Sequence, residues 1–331
     1  MQAQVYKIHS DFYYVKNSEH EEFVCKLKDV LKKQKIEIKV GDNVQLSSDK
    51  NFINSLLDRK NTLNRPKVSN IDCAVIVSAL KEPELDFVQL DRYLSYLKYY
   101  KIDCALCFNK EDLDDNLTES KDRIKNIYEK LGYKIFFISA KNKLDLDDLL
   151  KFIEHKTIVL TGMSGVGKST LLNSINPNLS LKTKEISSKT QRGTHTTRHC
   201  EIMEFENYKI MDTPGFSCLK FDFLLPEEII NLFDDLKVFS SDCKYKDCLH
   251  DVQQEGICCV FDNLDKIGKT RYKSYLEFLK EAKEYKEKIS KISIKEEKSH
   301  KTIGNRIGVK ISKRKRESSR NTANQKIKEM E

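Results

Sequence analysis

Eight residues, Gly162 to Ser169, constrain the fold of this 331-residue chain more than any other stretch. GMSGVGKS satisfies GxxxxGK[ST]; the apolar run TIVLTG precedes it and KSTLLNSI follows with helical spacing. Its glycines let backbone N–H groups wrap an anion at a helix start, where aligned peptide dipoles add partial positive charge. A strand, loop and helix of this kind needs parallel neighbours, and the sequence supplies them. CAVIVSAL (73–80), CALCF (104–108) and KIFFISA (134–140) read as buried strands. Between them, 85–100 carries Phe87, Leu90, Leu94 and Leu97 at helical spacing, and Glu119 to Leu131 aligns Ile124, Ile127, Tyr128 and Leu131 before Gly132. LDDLLKFI (146–153) reads as a further helix. The alternation predicts an α/β domain, a mostly parallel sheet with helices on both faces.

The chemistry follows from the same loop. Gly162, Met163, Ser164, Gly165, Val166 and Gly167 would wrap the phosphates of a nucleotide, with Thr170 completing the contacts. Lys168 would reach the β- and γ-phosphates, and the Ser169 hydroxyl would ligate Mg²⁺, a hard cation that prefers oxygen. DTPG follows 44 residues after Lys168 and would bring Asp212 to the Mg²⁺ shell and Gly215 to the γ-phosphate. The hydroxyl-rich segment 187–199 lies between them, where a switch loop belongs; Thr196 and Thr197 are equal candidates to close over metal and phosphate.

Before all of these comes NKED. In Asn109-Lys110-Glu111-Asp112, the last carboxylate can accept from the N1–H and 2-amino groups of guanine, donors that adenine lacks. ISAK ends the next strand and offers Ser139, Ala140 and Lys141, with the Ala140 N–H available to the guanine carbonyl. Base-reading loops therefore precede the phosphate loop. Chain order is free to rotate when the ends to be joined lie close, so the pattern predicts a circularly permuted GTPase domain binding GTP and GDP. An ATPase or kinase in which NKED is coincidental is the competing enzyme class.

The flanks differ in character. Residues 1–66 show short mixed runs punctuated by Asn, Ser and Gly, predicting an OB-like barrel; 67–219 is the GTPase domain. Residues 220–285 hold LPEEIINLF, which reads as a helix, a cysteine and histidine cluster, and a long polar helix. Residues 286–331 form a basic tail, flexible or helical. That tail carries 15 Lys and Arg against 6 Asp and Glu, which accounts for the whole chain's +8 and suits an acidic polymer such as RNA. With no export-type start and no apolar run near the roughly 18 residues of a membrane span, the chain reads as cytoplasmic, without membrane attachment, and as a monomer. Its ten cysteines are then core residues or metal ligands rather than disulfides. Cys104 and Cys107 fall three apart within one strand and face opposite ways, a core arrangement. Cys243, Cys248 and His250, spaced C-x4-C-x-H ahead of EGICCV, supply donors for a closed tetrahedral Zn²⁺ site.

The order and wording of these motifs resemble the RsgA family of circularly permuted GTPases, also called YjeQ or YloQ, across almost the whole chain. The resemblance rests on the barrel, RPKVSNIDCAVIV, GMSGVGKSTLLN, GTHTT, DTPGF and the cysteine cluster. It implies GTP hydrolysis late in small (30S) ribosomal subunit maturation, stimulated by the subunit, with barrel and carboxyl-terminal domain on rRNA. It also implies one structural Zn²⁺ whose fourth ligand, matched against the family's pattern, is Cys258 rather than Cys259, although the gap from His250 is two residues longer here. The glutamine that orients water in Ras-like GTPases is replaced by Phe216, which cannot do so. The resemblance gives that role to His195 of GTHTT, with Lys168, Thr196 and Thr197 as the other catalytic groups. The alternative function is an RNA-binding nucleotide switch with negligible turnover, which the Phe216 position permits.

Overall fold

The fold is described from a computed structural model, which defines residues 1–176, 200–212 and 219–309 except 241, 242, 244, 246, 247, 253–255, 257, 298, 299, 304 and 305; for 212 and 292–309 it defines backbone only. The chain divides into two compact units, the first 1–219 with 230–275 and the second 220–229 with 276–331.

In the first unit, β1 (Gln2–His9), β2 (Phe12–Lys16), β3 (Glu22–Leu27), β4 (Asn43–Leu46) and β5 (Phe52–Leu56) pair in the order β1-β2-β3-β5-β4, and β4 returns to β1. The sheet thereby closes on itself. The period of two sends Ala3, Val5, Val15, Cys25, Val44 and Ile53 inward, and a short helix, α1 (Asp29–Lys33), covers the interior with Leu31. A two-stranded connection, β6 (Thr62–Leu63) with β7 (Val68–Ser69), leads out of the barrel. It is held by the buried Lys39 ammonium, which donates to Thr62 Oγ1 (2.7 Å), Leu63 O (2.9 Å) and Asn64 Oδ1 (2.8 Å). Burying an ammonium is tolerable only with such acceptors.

The α/β portion runs β8 (Cys73–Ala79), α2 (Phe87–Tyr99), β9 (Cys104–Asn109), α3 (Leu117–Tyr128), β10 (Lys134–Phe137), α4 (Asp147–Ile153), β11 (Thr157–Thr161), α5 (Lys168–Ile175), β12 (Glu201–Glu204) and β13 (Lys209–Asp212). The sheet order is β10-β9-β8-β11-β13-β12, parallel through β13, with β12 antiparallel at the end. Every residue of β8 is buried, as a central strand covered on both faces requires. Cys104 packs against one apolar cluster and Cys107 lies within the other, on opposite faces of the sheet. Glycine 132, at φ +83°, turns the chain after α3.

β12 also pairs with β1 at Lys7–Glu201, so barrel and α/β sheet form one run of eleven strands. Glu204 anchors this junction, accepting from Lys16 and Lys209 at 2.8 Å each. Burial opposes its ionisation, yet those two ammonium groups outweigh it and pull its pKa down to about 2.

Beyond residue 219, LPEEIINLF forms a 3-10 helix over Pro226–Leu232 rather than a regular α-helix, followed by α6 (Asp234–Ser240). After α7 (Leu264–Ile267) comes α8 (Lys269–Glu297), which runs unbroken past residue 285; a hairpin, β14 (His300–Ile303) with β15 (Arg306–Val309), follows. In the second unit, Phe221 packs on Phe278 (centroids 4.8 Å apart) and its N–H donates to Glu281 at 2.8 Å. Among the described residues no helix is long and apolar enough to cross a membrane.

Within the first unit, the start of α8 is locked to α2 and α3 by a buried charge cluster. Arg271 donates to Asp91 and, at 2.9 Å, to Asp235; Ser274 (2.6 Å) and the Tyr128 hydroxyl (3.0 Å) also donate to Asp91, which is wholly buried. Replacing Arg271 by Met would leave that carboxylate without its cation, a loss of about 3–5 kcal/mol for a broken buried pair. The expected outcome is a lower urea midpoint for Arg271→Met; an unchanged midpoint would show that the pair contributes no net stability.

Candidate functional site

Parallel strands place their carboxyl ends along one edge, and the chemistry of this chain collects there. Asn109 ends β9 opposite Ala79 of β8; β10 runs into 138–141; β11 runs into the phosphate loop; Asp212 ends β13 beside Leu160. Loops from three separated stretches of sequence thus meet although their chain order is rotated.

The phosphate loop owes its shape to glycines that no other residue can replace. A Cβ on Gly162, whose φ is +143°, would sit 2.0 Å from Val77 O, and one on Gly167, at φ +96°, would sit 2.2 Å from Asn109 Nδ2. Gly167 is the N-cap of α5, so Lys168, Ser169 and Thr170 occupy its first turn, the end of a helix that favours an anion. Lys168 Nζ donates to Gly162 O (2.8 Å) and Met163 O (2.7 Å), bridging the loop across its mouth. Met163 and Ser164 are exposed, Val166 is buried in the core, and Gly165 adopts φ +83°.

Asn109, itself buried, fastens the base loops to this loop. Its Nδ2 donates to Val166 O at 2.8 Å, and its Oδ1 accepts from the Ala140 N–H at 2.9 Å. The Ala140 N–H expected for the guanine carbonyl is therefore already engaged, and a purine carbonyl would have to share that donor. Ser139 Oγ donates to Asp112 Oδ1 at 2.6 Å, which orients the exposed carboxylate. Glu111 is tied to Lys121 of α3 at 2.9 Å. Lys110 has a left-handed backbone (φ +64°), its pKa is lowered by burial, and its ammonium is held by the Glu82 carbonyl. Glu82 is a partner that sequence reasoning missed, since a backbone acceptor leaves no residue-type signal. Lys141 is exposed beside Ala140. The backbone of Asp212 is in place at the end of β13. His195, Thr196, Thr197 and Gly215, with Phe216, lie outside the described residues.

The cysteine cluster forms a second candidate centre. Donor atoms of Cys243, His250 and Cys259 lie within 4.8 Å of one another, with Cys259 Sγ 3.5 Å from His250 Nδ1. Cys248 hydrogen-bonds Cys243 through its thiol, and its sulfur accepts from the His250 N–H at 3.3 Å. Cys259 rather than Cys258 reaches this group; Cys258 is fully buried beside it. Burial opposes ionisation of Cys243, but hydrogen bonds from the Tyr245 N–H and the neighbouring thiols outweigh it and lower its pKa, while burial keeps His250 neutral. Burial, with the neighbouring thiols, pushes Cys248 up and Cys259 up to about 12, so Cys243 is the thiol drawn toward the thiolate form that, with neutral imidazole, binds Zn²⁺. Tyr272 and Tyr275, also missed, brace the loop by donating to His250 O (2.9 Å) and Leu249 O (2.6 Å); their i, i+3 spacing on a polar helix was the available signal.

Comparison with known proteins places this geometry in context. Residues 56–222 match the family model described as RsgA GTPase, residues 2–52 that of the RsgA N-terminal domain, and residues 157–299 that of a 50S ribosome-binding GTPase. The small ribosomal subunit biogenesis GTPase RsgA of Alkaliphilus metalliredigens is 39% identical over 271 residues, 80% of this chain and 91% of that protein. A protein of the same name from Bacillus cereus is 37% identical over 82% of this chain and 94% of its own length. Among solved structures, YjeQ from Thermotoga maritima superposes with a TM-score of 0.70 at 30% identity, covering 85% of this chain and 98% of that one. YloQ, a circularly permuted GTPase, gives 0.67 at 31% identity, with 86% and 95% covered.

The contact between Gly167 and Asn109 makes a sharp test. Gly167→Ala should push the Asn109 amide away from Val166 O and lower affinity for a fluorescent GDP analogue by about tenfold or more, the loss of one buried hydrogen bond plus backbone strain. Wild-type affinity in this variant would show that the tie is dispensable.

Proposed function

Since this chain belongs to the RsgA family of circularly permuted GTPases, we propose that it hydrolyses GTP late in the maturation of the small ribosomal subunit, that the subunit stimulates turnover, and that nucleotide state sets its hold on the subunit's rRNA. The reaction is that of a GTPase, GTP and water giving GDP and phosphate, with Mg²⁺ accompanying the nucleotide. The observation that carries the reading is the double tie of Asn109, which joins the phosphate loop at Val166 to the base loop at Ala140.

Asp112, oriented by Ser139, accepts from the guanine N1–H and amino group, while Asn109, Lys110, Ala140 and Lys141 frame the base. The N–H groups from Gly162 to Thr170 hold the phosphates, and Lys168 turns from the loop carbonyls to the β- and γ-oxygens, balancing charge that grows as the terminal bond breaks. Ser169 and Asp212 hold Mg²⁺, which supplies electrostatic stabilisation of the transferring phosphoryl group. Thr196 or Thr197 closes the switch loop, Gly215 contacts the γ-phosphate, and His195 orients the attacking water in place of the absent glutamine. Cys243, Cys248, His250 and Cys259 hold one structural Zn²⁺ that fixes a segment too small for a core of its own. The chain works in the cytoplasm as a monomer, with the barrel and the carboxyl-terminal region on rRNA.

Hydrolysis measured with and without purified small subunits tests the reading. Turnover should rise with subunits, and His195→Ala should abolish the rise while preserving GTP binding; no stimulation of the wild type would contradict the proposal. Metal analysis of the purified chain should find about one zinc per molecule, falling below about half in Cys259→Ser. Wild-type zinc content in that variant would return the fourth position to Cys258.

A further inference from the structure

At the end of the sheet opposite the phosphate loop, the amino-terminal ends of β8, β9, β10 and β11 border a cleft of about 560 Å³. Pockets of about 300–1,000 Å³ suit small organic ligands. The floor is apolar and aromatic, made by Leu94, Ile102, Tyr133 and Phe152. The rim carries four lysines, Lys98, Lys101, Lys134 and Lys156, and three aspartates.

The carboxylates are largely engaged. Asp72 accepts from the Thr157 N–H at 2.8 Å and pairs with Lys60 at 2.7 Å, and Asp234 pairs with Lys98. Apart from Lys98, the lysines have no ion pair of this kind among the described residues. Lys156 donates only to an uncharged group, the Phe152 carbonyl (2.5 Å), with its ammonium 3.8 Å from the centre of the Phe152 ring. Lys101 and Lys134 are exposed, and neither ammonium has a hydrogen-bond or ion-pair partner among the described residues. Lys101 and Lys134 therefore face the cleft without a carboxylate partner, Lys156 is near Asp72 but makes no ion pair with it, and Asp103 is the one acidic group of the rim not otherwise occupied.

We infer that this cleft is a second ligand site, separate from the GTP site, which takes a nucleoside monophosphate group. A planar base fits against Tyr133 and Phe152, and the phosphate completes the coordination of Lys101, Lys134 and Lys156, compact charges suited to phosphate oxygens. A free nucleotide and a strand of RNA both present this group.

The test uses the full chain saturated with GDP and Mg²⁺, so that the phosphate loop is filled, with calorimetric titration of AMP and, separately, of a hexameric oligoadenylate. AMP should bind saturably at one site per chain. Lys101→Glu/Lys134→Glu should weaken binding by about tenfold or more through loss of two charge-assisted contacts, with GDP affinity unchanged. A double variant of equal charge on the barrel, Lys32→Glu/Lys33→Glu, should bind AMP as the wild type does. Hexamer binding that depends on Lys101 and Lys134 and exceeds that of AMP assigns the site to RNA; AMP binding without that advantage assigns it to a free nucleotide. The inference is overturned if neither probe binds saturably, if the cleft variant binds both within twofold of wild type, or if the barrel variant loses AMP binding to the same extent.

Discussion

The side-chain amide of Asn109 is the contact on which this architecture turns. Its donor end reaches the phosphate loop and its acceptor end the loop after β10, so one buried residue at a strand terminus registers the two halves of a nucleotide site against each other. A permuted chain has particular need of it. The base loops come from 109–141 and the phosphate loop from 162–169, and their alignment depends on parallel strand register plus this amide. Gly167 keeps the space open, and any side chain there would compete with the amide for the same volume.

Much of this was legible in the sequence because it follows from backbone requirements. GxxxxGKS needs a strand before it and a helix after it, and both form; the buried apolar runs became the parallel strands, and the opposed faces of Cys104 and Cys107 followed from a period of two. What the sequence did not reveal depends on tertiary placement. The Ala140 N–H looked free because its partner, Asn109, lies thirty-one positions earlier. The carbonyl of Glu82 that holds Lys110 carries no side-chain signature, and the pairing of Arg271 with Asp91, 180 positions apart, leaves no mark in the spacing of either helix. LPEEIINLF has helical periodicity but tightens into a 3-10 segment, for which the pattern of apolar residues gives no distinguishing mark.

Cys258 and Cys259 show a further limit of the same kind. Spacing counts residues along a loop, whereas a metal centre needs atoms in space, and consecutive side chains point to different places. In the folded loop, braced at His250 and Leu249 by two tyrosine hydroxyls, the sulfur that lies with Cys243 and His250 is that of Cys259.

The pairing of β12 with β1 has a consequence for the independence of the parts. β12 is the outermost strand of the α/β sheet, and the barrel occupies its otherwise open side. An uncovered strand of that kind offers unpaired N–H and C=O groups to any passing chain and invites self-association. The barrel therefore serves its neighbour as an edge cover as well as a module in its own right, with Glu204 clamped between Lys16 and Lys209 as the fastening. Detaching residues 1–56 would not simply subtract a domain; it would give the remaining sheet a second open edge, at β12, in addition to that of β10.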